Sequence, residues 1–559
     1  MENSQIADAF SLLSKLMDIH GENSFKSKSY ASASFAIEKL LVNLIELPIE
    51  KIASIKGIGY SSAQKITELL QTGKIFLLED LIEKTPPGVL EMLSIKGIGP
   101  KKIHTIWKEM EIESIGELLY ACKENRLKLY KGFGEKTQQN VIEAIEFYLK
   151  SMGSYLYAQA DAVIEPMQII LKETFPDQRI ELTGKFIRQI ETIEELEYLI
   201  DLSIDEIEKR TDSNVFFTLK DKSERSISFA TNIGFDIKLY PVTPAAYLTT
   251  SIKLNSSEEF SNVLFDRFTD VIATSDNEKD FFEKAGMTFI PPFLRENPAV
   301  IEIAEKKEIP EIIQTSDIKG LIHCHSHWSD GNHSIEEMAL AAQKRGLEYM
   351  VLSDHSKSAH YAQGLDEERI KGQHREIDEL NDKLHPFKIF KSIESDILND
   401  GSLDYSDKVL STFDLVIASV HSNLKMNEEK AMMRLLKAIE NPFTNILGHP
   451  TGRLLLSRPG YPLLMDEIIS ACAKNNVAIE LNAHPSRLDI DWRVIPFVLK
   501  QNVLISINPD AHQTEGIDLI KYGVMTAQKA MVTPKKNLSS FSLAEFEAYI
   551  SRKKSNRLS

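Results

Sequence analysis

His323 and His325 stand one residue apart at the end of an apolar run, Gly320-Leu-Ile, and Asp330 follows five residues later beside Gly331. On a regular strand, side chains at i and i+2 share a face. The two imidazoles are therefore expected to grip one metal ion, with Cys324 pointing away and Asp330 reaching a second ion. The pattern repeats downstream: apolar runs end in His355, in Glu394, in His421, in His449, and in the pair Asp510 and His512. Another run, Val477-Ala-Ile-Glu-Leu-Asn-Ala-His484, ends in polar groups. Twelve of the fourteen histidines fall between His323 and His512, a concentration that ordinary core or surface histidines do not produce. Imidazole and carboxylate donors without cysteine suit Zn, Mn or Fe(II) rather than Ca or an iron–sulfur cluster. Clustered divalent ions activate water and polarise phosphoryl groups, so the chemistry expected is phosphoester hydrolysis. Glu394 is the candidate bridging ligand, and Arg453, Arg458 and Arg487 are candidates for holding substrate phosphates, Arg453 first among them.

Seven apolar runs carry these groups, with helical stretches between most of them, for example Ser334 to Arg345 and Asp466 to Lys474. Alternation of this kind predicts a parallel sheet, and polar groups gathered at strand C-termini predict a (β/α)7 barrel. HxH, Ser-Asp-Gly, Ser-Asp-His, a Glu, Val-His-Ser, Gly-His-Pro and Pro-Asp-Ala-His together resemble the PHP (polymerase and histidinol phosphatase) family over roughly residues 318 to 540. The resemblance implies a trinuclear site on His323, His325, Asp330, His355, Glu394, His421, His449, Asp510 and His512. Glu394, Asp510 and His355 are then the expected catalytic core, with two or three divalent ions as cofactors.

The first 150 residues read as helices punctuated by one repeated signal: Ile55-Lys-Gly-Ile-Gly59, Ile95-Lys-Gly-Ile-Gly99 and Tyr130-Lys-Gly-Phe-Gly134. Each precedes a helix, Ser61 to Leu70, Lys101 to Met110 and Lys136 to Tyr148. Gly57, Gly59, Gly97, Gly99, Gly132 and Gly134 let a tight turn expose backbone N–H groups at the next helix, where a phosphate binds without base contact. Lys56, Lys96, Lys101, Lys102 and Lys136 stand beside these turns. The triplication resembles the helix-hairpin-helix motif. The opening Ile19-His-Gly-Glu-Asn-Ser-Phe-Lys26, with Tyr30 and Ala33, resembles the 8-kDa domain of family X DNA polymerases. By that resemblance Lys65 matches the Schiff-base lysine of its deoxyribose-phosphate lyase members.

Between them the same family carries its palm, and Phe281-Phe-Glu-Lys-Ala-Gly-Met-Thr-Phe-Ile-Pro-Pro-Phe-Leu-Arg-Glu296 resembles the segment after it. The catalytic motifs depart from the family. Gly-Ser reads Gly184-Lys185, with a single Arg188; Asp-x-Asp reads Glu195-Leu-Glu197; the third carboxylate is Asp236; and Thr-Gly-Ser reads Asn255-Ser256-Ser257. Glu191, Glu194, Glu195 and Glu197 also read as a solvated helix face. The expectation is a palm kept as a fold, with Mg at its carboxylates in doubt and polymerase activity weak or lost.

The chain has 559 residues and a net charge of −17. Residues 1–150 carry 19 basic against 20 acidic groups, a balance of −1, which leaves −16 for the remainder. Overall acidity thus does not exclude DNA; it requires local contacts. Three scattered cysteines, no signal-like N-terminus and no membrane-length apolar run predict a soluble cytoplasmic protein. The expected domains are 1–80 (8-kDa-like), 81–150 (helix-hairpin-helix), 151–313 (α+β nucleotidyltransferase-like palm) and 318–545 (PHP barrel). The expected function is DNA repair by a monomer. It holds gapped or nicked duplex without sequence preference and trims 3′ ends, with 3′-to-5′ exonuclease and AP-site processing in the barrel. The alternatives are an active gap-filling polymerase with a proofreading barrel, a DNA-binding scaffold, and a small-molecule phosphatase.

Overall fold

Leu13, Leu16 and Met17 recur at helical spacing, and the computed structural model buries them on the helix Asn3–His20. The structure describes residues 3–556 apart from Lys39, Leu41, Ser151, Met152 and Ser213. Two compact units emerge: residues 1–123 with 127–148, and residues 124–126 with 149–559.

The first unit is all helical. Its repeated turns lead into the helices Tyr60–Thr72, Pro100–His104 and Glu135–Lys150, the second continuing as the π turn Thr105–Glu109. The first glycine of each repeat is left-handed, with φ of 97°, 93° and 93° at Gly57, Gly97 and Gly132. The second is not: Gly59 and Gly99 are extended N-caps at φ −80° and −90°. Only the leading glycine is demanded by backbone conformation.

The second unit begins with a five-stranded sheet: β1 Ile180–Thr183, β2 Leu196–Ile200, β3 Phe217–Lys222, β4 Ile227–Thr231 and β5 Ile237–Pro241, in the order β1-β2-β5-β4-β3. The β2–β5 pair is parallel and the others antiparallel. Tyr198, Phe229, Ile237 and Leu239 pack from this sheet against Met167 and Leu171 of the helix Tyr157–Thr174. The glutamate run is not a helix face. Glu197 lies in β2 and Glu195 just before it, because Leu196, Tyr198 and Ile200 alternate into the core.

Seven parallel strands follow in sequential order: β6 Gly320–Cys324, β7 Tyr349–Leu352, β8 Lys388–Asp396, β9 Leu415–Ser419, β10 Ile446–Leu447, β11 Ala478–Asn482 and β12 Ile505–Asn508. The two ends meet where His325 N–H donates to the Ala511 carbonyl at 2.9 Å, so the sheet nearly closes. Helices such as Ile335–Lys344, capped by Ser334, and Met465–Asn475 cover its outside. The C-terminal helix Leu543–Asn556 seals the bottom, stacking Phe546 on Tyr349 at 4.6 Å. The basic C-terminal end is helical as far as Asn556, and Arg557–Ser559 lie outside the described residues. Before the barrel, the chain is helical over Ala299–Glu305. Leu488, Tyr522 and Met525 of the barrel region belong to the same apolar cluster as the five-stranded sheet. Among the described residues no helix is long and apolar enough to cross a membrane.

Candidate metal centre and palm

The C-terminal ends of the barrel strands converge on one buried cluster. His323 and His325 have ring centroids 5.4 Å apart, but simple alternation does not bring them together. The β6–β7 register slips between Ile322 and Cys324, and His323 adopts φ +63°. That bulge turns Ile322 and His323 inward in succession, while Cys324 packs in the outer core. His449 and Asp510 are also left-handed, at φ +24° and +53°. Non-glycine residues in that region concentrate where a site holds them against their preference.

His325, Asp330, His355 and His512 place one donor atom each within 4.8 Å of the others, and so do the sets His323–His325–Asp510 and His355–Glu394–His421. Glu394 is the hub. Its Oε1 lies 3.2 Å from His323 Nε2, 3.1 Å from His421 Nε2 and 3.0 Å from His449 Nε2. Its Oε2 lies 3.0 Å from His355 Nδ1. Burial opposes charge on Glu394, Asp330 and Asp510, yet the surrounding imidazoles hold all three well below the usual carboxylate range. His325 is pushed down to about 3 by burial and by His512 and His355, which leaves it a neutral donor. His421 rises to about 10: burial lowers it, but Glu394 and Asp396 outweigh that.

These residues fit metal ions on a direct observation. His323 Nε2, Asp330 Oδ2, His355 Nδ1, Glu394 Oε2 and His512 Nε2 are buried and make no hydrogen bond. An uncompensated buried polar atom costs roughly 1–3 kcal/mol, so divalent cations shared among these lone pairs answer the arrangement.

Several residues that hold the cluster escaped sequence reasoning. Asp396 accepts from His421 Nδ1 and, at 2.6 Å, from Ser358 Oγ. Glu480 accepts from His323 Nδ1 at 2.6 Å, and Asn482 Nδ2 donates to Asp510 Oδ2 at 3.1 Å. Glu124, in the short turn that belongs to this unit, meets His512 Nδ1 at 2.9 Å. Asp396 and Glu480 had a legible signal: each is a carboxylate at an inward position of an apolar strand, Asp396 two residues beyond Glu394. Glu124 had none.

The arginines divide differently from expectation. Arg453, expected first for phosphate, is committed to Asp491 at 2.5 Å and to the carbonyls of Arg487 and Leu488. Arg458 donates twice to the Gly452 carbonyl. Arg487 is the one whose charge acts on a ligand: burial lowers His449, and Arg487 lowers it further.

In the five-stranded sheet region the carboxylates expected for a palm each face protein groups. Glu195 Oε1 lies 3.3 Å from Lys238 Nζ, and Asp236 pairs with Lys220. Glu197 accepts from Lys185 N–H at 3.0 Å and Tyr240 OH at 2.9 Å. Asn255 is buried rather than open to a nucleotide; its Oδ1 accepts from Thr183 Oγ1 at 2.8 Å and Gly184 N–H at 3.0 Å. Arg188 forms two 2.8 Å bonds to Glu296. Among the described residues, the groups of three or more potential ligands leave out Glu195, Glu197 and Asp236. In the first unit Lys65 Nζ lies 2.5 Å from Glu68. Lys101 and Lys136 are exposed beside their turns, and Lys102 is half-buried over the Phe133 ring.

Profiles of known families match three stretches: a helix-hairpin-helix domain at 1–75, a SAM-like helix-hairpin-helix tandem at 89–146 and a PHP domain at 322–484. The chain is 32% identical to the DNA polymerase/3′-5′ exonuclease PolX of Bacillus subtilis, covering 99% of this chain and 100% of that protein. This chain belongs to the PolX family. Proteins of a second kind are also similar: probable phosphatases of Acetivibrio thermocellus (28%) and Thermoanaerobacter sp. (23%) each align with 42% of this chain, covering 98% and 97% of their own length. As a PolX-family enzyme with a PHP metal cluster, the chain joins two helix-hairpin-helix regions, a mixed sheet and a seven-stranded parallel near-barrel.

Proposed function

We propose that this PolX-family chain trims DNA 3′ ends, its barrel hydrolysing phosphodiesters 3′ to 5′ with two or three bound divalent ions, Mn, Zn or Fe. The observation that carries this reading is the convergence of His323, His325, Asp330, His355, Glu394, His421, His449, Asp510 and His512 on one buried centre. When bound, the ions supply an activated water and neutralise charge on the leaving oxygen. Burial holds His325 and His449 on the neutral side, Glu394 spans the cluster, and Arg487 adds positive charge beside His449 for a substrate phosphate. The three hairpin turns hold the duplex backbone through phosphates, favouring gapped or nicked DNA without sequence preference. The division of labour follows residues 1–80, 81–150, 151–313 and 318–545, in a cytoplasmic monomer. The test is digestion of a gapped, end-labelled duplex by the ion-loaded protein and by Asp510→Asn. Hydrolysis of small phosphomonoesters with none of DNA would favour a phosphatase, and DNA binding with neither activity a scaffold.

For the palm, full-length similarity to a protein named as both polymerase and exonuclease favours gap-filling synthesis with a proofreading barrel. A second reading, weak or lost synthesis, rests on a specific observation: Lys220 and Lys238 neutralise Asp236 and Glu195, and Glu197 is spent on Lys185 and Tyr240. That arrangement offers Mg no open pair of carboxylates. A lyase role for Lys65 requires release from Glu68, and borohydride trapping on an abasic duplex reads it directly.

A further inference from the structure

Glu480 is fully buried in β11, outside the ligand positions. It accepts three hydrogen bonds. His323 Nδ1 and Asn508 Nδ2 reach Oε1 at 2.6 and 2.7 Å, and His449 N–H reaches Oε2 at 2.6 Å. The Ser506 hydroxyl donates to Asn508 Oδ1 at 2.7 Å, which fixes the amide end that Asn508 turns toward Glu480. One carboxylate therefore grips the ring of one ligand and the backbone of another, both left-handed.

We propose that Glu480 is a positioning residue for the metal centre, fixing the His323 tautomer and the His449 turn together; this rests on the barrel holding metal ions as proposed above. An imidazole ligates through one nitrogen only when the proton sits on the other. Glu480 keeps that proton on Nδ1 and turns Nε2 to the cluster. The role needs a group that only accepts. A glutamine at 480 fails in either orientation. With its amide nitrogen toward His449 it meets a backbone donor. With that nitrogen toward His323 it demands an acceptor at Nδ1 and moves the ring proton to Nε2, the nitrogen needed for the ion. Asp396 holds His421 on the other side, but its second oxygen faces the Ser358 hydroxyl, which can donate or accept, so that position lacks the three-donor constraint.

The experiment compares the full-length parent with Glu480→Gln after loading with Mn(II) alone. The readouts are ions per chain by mass spectrometry and the electron paramagnetic resonance spectrum. Folding is checked by circular dichroism in chelator. Glu480→Gln should lose at least one ion per chain, bind at that position ~10–100-fold more weakly, and replace an exchange-coupled manganese signal by that of isolated ions. An equal count with an unchanged coupled signal overturns the proposal. A parent that binds no ions overturns instead the metal reading on which it rests. If Glu480→Gln does not fold, Asn508→Ala, which spares the carboxylate but removes one of its three donors, carries the comparison: several-fold weaker loading supports the role and parental loading overturns it.

Discussion

Glu197 occupies the space above Gly184, where a Cβ on that glycine would overlap its carboxylate. Gly184 is left-handed at φ +73°, and the adjacent Lys185 N–H donates to Glu197, so the turn at the Gly-Ser position is closed over by the side chain at the Asp-x-Asp position. Primer extension on a gapped duplex, with the barrel silenced by Asp510→Asn, tests the consequence. On the second reading, weak or lost synthesis, three motifs depart together; one group misplaced by about 1 Å already costs ~10²-fold, so that reading puts synthesis at least roughly three orders of magnitude below an intact palm. Robust extension that Asp236→Ala abolishes would show that the altered carboxylates still work, in keeping with the family comparison.

The hairpins separate two effects of glycine. At Gly97, φ +93°, valine is strained at a cost of about 1–3 kcal/mol; at Gly99, φ −90°, it is not. A Cβ at either glycine meets nothing within 4 Å, so the face is open to a ligand. Gly97→Val should lower both thermal stability and DNA affinity, whereas Gly99→Val should lower affinity alone, equally across sequences and with strong salt dependence. Unchanged binding in both variants would remove phosphate capture from this turn.

Most of the candidate metal centre was legible because nearly every expected ligand, Asp330 excepted, ends an apolar run, and a parallel barrel gathers strand ends at one face. The backbone that aims them was not legible. The bulge at His323 leaves no mark in residue types, since the alternation of His323 and His325 predicts convergence by a different route. In the palm, Glu191 to Glu197 reads as a polar helix face until Leu196, Tyr198 and Ile200 find a sheet to pack on. Arg453 looked free for phosphate because Asp491, 38 residues away, gave no local sign of being its partner.

Lys529 gives the fold a pH signature. It is 1% exposed, donates to the Arg188 carbonyl at 2.6 Å, and lies 4.7 Å from the Trp492 ring. Burial pushes it down to about 8, partly opposed by Glu296 and Glu191. An unfolded lysine keeps its proton to about pH 10.4. Below pH 8 both states are charged and the penalty is full. Between about pH 8 and 10.4 the unfolded state binds the extra proton, so stability rises with pH, by of the order of 3 kcal/mol in total. The melting temperature of the parent relative to Lys529→Met should therefore climb by a few degrees between pH 7.5 and 9.5. A constant difference would contradict the buried titration.

In the function proposed above, the buried His/Asp/Glu centre is the nuclease. It is tested most directly by following a 3′-recessed, 5′-end-labelled gapped duplex with the Mn-loaded parent, Asp510→Asn and His355→Ala. Shortening from the 3′ end is predicted for the parent. Both variants should lose at least about a hundredfold in rate, since even partners that only orient ligands cost ~10–100-fold, while DNA affinity stays near that of the parent. Cleavage at the parental rate by either variant would contradict the account and place the nuclease elsewhere.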